Sequence, residues 1–245
     1  MAWDYETTKA GYENMWLSAE ILDSAHYDLE MIADRILANE EQYQAVEDDT
    51  GVPWFWIGAI HSRESDCDFS THLHNGDPLT ARTTHVPAGR PTEGDPPFEW
   101  SESAVDALEY QDLIGIDPWD CAQMHLQAEL YNGTGYISHE TNSPYVWAGT
   151  THQEPGKYVA DGVWDPNAWD SQMGVAAIWK KLCERRDDIA AAFETEAPAE
   201  EAPPPAEEAV RDYRLLKVEL LRKLVLNKEG RLARGVKAGI LKDRR

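Results

Sequence analysis

Residues 194–209 read ETEAPAEEAPPPAEEA, with six Glu, four Pro and five Ala in sixteen positions. So little apolar side chain cannot offset the entropy of ordering, and the prolines and like charges stretch such a segment. It therefore acts as a linker and divides the 245-residue chain into a body, 1–193, and a tail, 210–245. The two parts differ in charge. The tail has 12 Lys/Arg against 4 Asp/Glu, a net of +8, whereas residues 1–209 have 10 against 41, a net of −31; together they give the −23 of the whole chain. A body so acidic argues against a nucleic-acid partner, because phosphate contact requires basic surface.

Within the body, apolar periodicity is helical. The chain is 42% hydrophobic with ten Trp and ten Tyr, enough for a sizeable core. Steps of three and four predict helices over residues 12–23 and 26–39, with Leu29, Ile32, Ile36 and Leu37 on the second. Asp48-Asp49-Thr50-Gly51 is a turn signal, and Pro53 suits the first turn of a helix WFWIGAIHSRES. Residues 67–100, rich in Gly, Pro, Asp, Thr and His, predict a long loop or short hairpin, and loops of this length tend to be functional. Helical pattern returns at 101–113, 118–130 and 166–186, around a Gly-rich aromatic loop at 131–165. The expected class is mainly α, with a small β or loop lobe. No apolar run approaches the about 18 residues needed to span a bilayer. The three Cys, at 67, 121 and 183, are too few, and odd in number, for a disulfide framework.

The segment TGVPWFWIGAIHSRESD, residues 50–66, carries the chemical signal. On a helix, Trp54, Ile57, Ile60, His61 and Glu64 share roughly one face, which the Trp and Ile side chains require to be buried. Glu64 then sits at the end of a core-facing stripe and at the negative end of the helix dipole. Both effects disfavour its charged form and raise its pKa, as a general acid requires. The plainer alternative is a surface Glu at a helix end, paired with Arg63 or Arg35.

Gly51-Val52-Pro53, Ile57-Gly58-Ala59-Ile60 and Arg63-Glu64-Ser65 resemble the catalytic-glutamate helix of goose-type lysozymes and soluble lytic transglycosylases. Leu130-Tyr131-Asn132-Gly133-Thr134-Gly135-Tyr136 is similar to the Asn-Gly loop lining the sugar cleft of those enzymes. The resemblance implies an α+β lysozyme-like fold for 1–193 and cleavage of the bond between N-acetylmuramic acid and N-acetylglucosamine in bacterial peptidoglycan. Glu64 would be the proton donor, and the implied setting is a phage endolysin or a virion-associated lysin. No cofactor or metal is implied. The close match covers about 17 residues around Glu64 and about seven around Gly133. The Gly-Leu-Met-Gln-like segment that follows the glutamate in that superfamily is absent, and THLHNGDPLT stands in its place.

A second carboxylate decides the reaction. Inverting hydrolysis needs a base about 6.5–9.5 Å from the acid, and without one the muramyl 6-hydroxyl captures the intermediate, which is lytic transglycosylation. Asp77, in an Asn-Gly-Asp-Pro sequence, is the candidate base; simple turn chemistry is its alternative. Asp66, Asp68 and Asp95 are the other candidates. His61, His72, His74 and His85 lie close in sequence, but no zinc motif joins them, and packing of the loop accounts for them. Sugar-facing rings are expected among Tyr136, Tyr145, Trp147, Tyr158 and Trp164, with Tyr136 and Tyr145 first, and Asn132 and Gly133 beside them. A chitinase-like hydrolase with the same cleft chemistry is a weaker alternative.

In the tail, Tyr213, Leu216, Leu220 and Leu224 form an apolar stripe, followed by the basic RLARGVKAGILKDRR. This reads as an amphipathic helix for an anionic envelope or a virion protein. A structural or adaptor role in a phage particle, with the lysozyme-like domain secondary, is the corresponding alternative. MAWDYETTK has neither a basic region nor an apolar stretch, so no secretory leader is expected. Synthesis in a host cytoplasm, with the periplasmic cell wall as the target, follows from that together with the resemblance.

Overall fold

The computed structural model describes residues 5–160 and 162–195, and these are mainly helical. Nine α-helices run in chain order: α1 (Tyr5–Ser18), α2 (His26–Ala38), α3 (Glu40–Thr50), α4 (Trp54–Ser65), α5 (Trp100–Tyr110), α6 (Cys121–Asn132), α7 (Pro144–Trp147), α8 (Val175–Arg185) and α9 (Asp187–Ala192). Short 3-10 turns precede α2 (Asp23–Ala25) and follow α6 (Thr134–His139). The β lobe is one antiparallel hairpin, β1 (Lys157–Ala160) and β2 (Val163–Asp165), with Tyr158 opposite Trp164. No described helix is long and apolar enough to cross a membrane. The basic stripe of 210–245 and all but the first two linker residues lie outside the described residues.

Helix α4 is the axis of the fold. Every residue from Trp54 to Ser62 is buried, so the helix is enclosed on all sides rather than along the single stripe expected. Its start is set locally. Gly51 closes α3 with φ +73°, a left-handed conformation that favours glycine, and its N–H bonds Glu47 O. The Thr50 hydroxyl donates to Val46 O and accepts from Val52 N, and Pro53 is the cap of α4, one residue ahead of its first turn.

Neighbouring helices then close around α4. Gly58 lets α2 approach so closely that a Cβ there would lie 2.7 Å from Ile36 Cγ2. The Trp56 indole donates to Met124 O of α6 at 3.1 Å, and Tyr43 of α3 bonds His61 at 3.0 Å. Trp56, Ile57 and Ile60 are wholly buried. Each such side chain contributes about 1.5–3 kcal/mol relative to exposure. Moving α4 would put several of these contributions at risk together.

Two segments depart from expectation. Residues 40–50 form α3 although their sequence, EEQYQAVEDDT, is mostly polar; Tyr43, Val46 and Thr50, spaced by three and four, supply its buried side. Residues 166–174 are not helical, and α8 begins only at Val175. Asp165 and Asp170 side chains bond the backbone N–H groups of Asn167 and Gln172, an arrangement that competes with a helical turn.

Candidate active site

The last turn of α4 emerges from this packing with Glu64 on it. As a residue Glu64 is half-buried, while its carboxyl lies deep among protein atoms. Oε1 accepts from the Tyr145 hydroxyl at 2.8 Å, and Tyr145 belongs to α7, 81 positions along the chain. Burial pushes the carboxyl up to about 7, against smaller opposing effects of the Tyr145 hydroxyl and the Arg63 charge. An acid in that range holds its proton at neutral pH and can release it there.

Neither arginine weighed as a partner ties up this carboxyl. Arg35 pairs with Asp66, which ends α4 at φ +56°. Arg63 reaches across to the segment before α8. Its guanidinium donates to Gln172 O at 3.0 Å, Met173 O at 3.2 Å and Asp170 Oδ2 at 3.2 Å, while Gln172 Nε2 donates back to Arg63 O at 2.7 Å. The same guanidinium lies over the Tyr145 ring, 4.7 Å from its centre. Asp170 also accepts from Lys157 of β1 at 3.0 Å. Burial works to raise the Asp170 pKa, but Arg63 and Lys157 outweigh it and hold the carboxyl below its ordinary value. Arg63 is legible in the sequence beside Glu64, whereas Asp170, Lys157 and Gln172, about a hundred positions along the chain, carry no sequence signal that would place them there.

The 67–99 loop packs under the same end of α4. Gly76 has φ +76°, and a Cβ there would meet Glu64 O at 3.0 Å, so both backbone shape and space require glycine. Asp77 follows it, with its carboxylate turned into its own loop. Oδ2 accepts from Thr84 N at 2.7 Å, Thr84 Oγ1 at 3.2 Å and His85 N at 2.9 Å, while Oδ1 meets His85 Nδ1 at 2.6 Å. Burial opposes these contacts, yet the His85 and Thr84 donors hold the acid far below the usual carboxylate range. Both oxygens are thus engaged in closing the 77–85 turn. Among the other candidate bases, Asp66 pairs with Arg35, Asp68 accepts from the Ser70 N–H and hydroxyl, and Asp95 is exposed.

His61, His72 and His74 are buried packing groups, whereas His85 is exposed and bonds Asp77. His61 is wholly buried between Tyr43 Oη and Asp68 O, and burial lowers its pKa to about 4. His72 bridges Ser103 of α5 and Ala81 O, and His74 meets Asp106, which Arg90 also grips with two bonds. These contacts tie the long loop to α5. Among the described residues, no group of three or more His, Cys, Asp or Glu could hold a metal ion.

The expected sugar-facing residues separate by burial. Trp147 is wholly buried and stacked on His125 at 5.1 Å, so it is a core side chain with no face for a sugar; its place in the candidate set is corrected on that ground. Tyr145 is 5% exposed and acts through its hydroxyl on Glu64. Tyr136 packs edge-on against Tyr158 and Trp164 at the base of the hairpin, and Trp164 is stacked on His139 at 3.8 Å. Asn132 is exposed at the last position of α6, with its amide 3.4 Å from Ser143 Oγ, and Gly133 follows it at φ +92°.

No family model matches the chain, and neither does any curated protein or solved structure. The geometry must therefore carry the functional reading. It offers one carboxyl protonated near neutrality, one hydroxyl donor on it, and a neighbouring cation fixed by an acidic partner.

Proposed function

We propose that the protein is a peptidoglycan-cleaving glycosidase of lysozyme-like type, with Glu64 as general acid at the bond between N-acetylmuramic acid and N-acetylglucosamine. The observation that carries this reading is the crowded Glu64 carboxyl, raised to about 7 and held by Tyr145. With Oε1 accepting from Tyr145, the proton resides on Oε2 and is given to the glycosidic oxygen as the C1–O bond breaks. The carboxylate left behind is stabilised by the same hydroxyl, whose bond strengthens as charge develops, and by Arg63 nearby.

A specific observation favours lytic transglycosylation as the second reading. Asp77, the candidate base, has both oxygens engaged by Thr84 and His85, which leaves water without an obvious carboxylate to orient it. Capture by the muramyl 6-hydroxyl needs no such water: its oxygen bonds C1 and its proton returns to the Glu64 carboxylate that donated one to the leaving oxygen. In either case Glu64→Gln at pH 6 abolishes clearing of a cell-wall suspension without lowering the thermal midpoint. Retained clearing in that variant rules out the assignment. Mass spectrometry of the released fragments separates the readings: reducing ends mark hydrolysis, 1,6-anhydromuramic ends transglycosylation.

A further inference from the structure

Trp169 lies on the segment that Arg63 holds against α4, and it is 58% exposed. The other Trp side chains among the described residues are buried or half-buried, and Trp56, Trp147 and Trp179 lie wholly in the core. An exposed indole on a loose loop would need no explanation. This loop is not loose. Asp170, the next residue, is bound through its carboxylate to Arg63 and Lys157, and its carbonyl accepts from Gln153 Nε2 at 2.8 Å. Just before Trp169, Ala168 O accepts from Gly156 N at 2.8 Å, and Ala168 N donates to Asp165 O. Both flanks of the tryptophan are therefore fixed by backbone or charged contacts while its ring remains in water.

The placement is also chemical. Asp170 contacts the guanidinium that covers the Tyr145 ring, and the Tyr145 hydroxyl is on the Glu64 carboxyl. Three contacts lead from the loop carrying Trp169 to the proton donor. A flat, exposed aromatic side chain on a backbone held at both sides suits the apolar face of a pyranose, because little of the chain then has to be ordered on binding. The geometry points to Trp169 as a carbohydrate-stacking subsite that holds a sugar of the glycan chain beyond the pair flanking the cleaved bond. This rests on the glycosidase reading above, and Trp169 lies just beyond the aromatic loop at 131–165, in a stretch whose sequence pattern is helical.

The test separates the two ideas. Binding of an N-acetylglucosamine tetramer to inert Glu64→Gln protein is followed by titration calorimetry, alone and with Trp169→Ala or Trp169→Phe added. Turnover on purified peptidoglycan is measured in parallel for wild type and the two single variants. Trp169→Ala is expected to weaken tetramer binding and raise KM, each roughly tenfold, with kcat nearly unchanged, while Trp169→Phe retains most of both. Tetramer binding that depends on Trp169 supports the subsite even if wild type cleaves no peptidoglycan, an outcome that would defeat only the glycosidase reading. Cleavage by wild type with KM and tetramer binding unaltered in Trp169→Ala overturns the subsite alone, and no tetramer binding at all overturns it as well.

Discussion

The raised pKa of Glu64 favours the proposed proton donation but works against folding at higher pH. The carboxyl ordinarily titrates near 4.5, and burial moves it to about 7 in the folded protein. Between those values the folded state binds a proton that the unfolded state has lost, so stability falls as pH rises through that window. Glu64→Gln, which cannot ionise, should match wild type in thermal midpoint at pH 4 and exceed it at pH 8; equal midpoints at both pH values would count against the raised pKa. Tyr145→Phe removes the donor that holds this pKa down. The alkaline limb of the rate profile should then move to higher pH, and the maximal rate should fall roughly ten- to a hundredfold, the loss expected for a hydrogen bond to a charged group. Steady-state rates between pH 5 and 9 check both. Glu64 could be read from sequence because a helix stripe and its terminus are local features. The Tyr145 hydroxyl could not, since only the placement of α7 brings it to α4.

The junction between α7 and α8 depends on close backbone approach. A Cβ on Gly174 would lie 2.5 Å from Val146 O and 2.6 Å from Ala148 N, neither of which can turn aside as a side chain would. Gly174→Ala should therefore cost about 1–3 kcal/mol, measured as a lowered urea midpoint. It should also reduce activity, because Gln172 and Met173, which fix Arg63, immediately precede it. The pattern of helices was legible where apolar residues dominate, as in α2, α4 and α5. It failed at α3, whose three buried side chains are outnumbered by charged ones, and at residues 166–174, where aspartate side chains cap the backbone. The first helix also runs earlier than the periodicity suggested, over Tyr5–Ser18, and its apolar continuation at Ile21 instead bridges to Thr150.

At the scale of the molecule, the charge division sets a further expectation. The body and linker together, at −31, are repelled by an anionic envelope, and the attached segment at +8 offsets this only within a Debye length of about 8 Å at physiological salt. Removing residues 198–245 should leave cleavage of purified peptidoglycan intact and abolish co-sedimentation with anionic vesicles. Adding 0.5 M salt to the full chain should mimic that loss. Vesicle binding that survives the deletion would place the attachment elsewhere.

The enclosure of α4 on every side bears on how the protein meets its substrate. A helix gripped along nine successive residues cannot swing, so the backbone that carries Glu64, the proton donor of the proposed reaction, is held in place before any ligand arrives. Adaptation falls to the loops packed against that end of the helix: the Gly76 turn, close to Glu64 O, and the tryptophan loop bound by Arg63. Under the glycosidase proposal, glycan strands of differing stiffness or cross-linking should thus be sorted by those two loops, while the bond-breaking step keeps one fixed geometry.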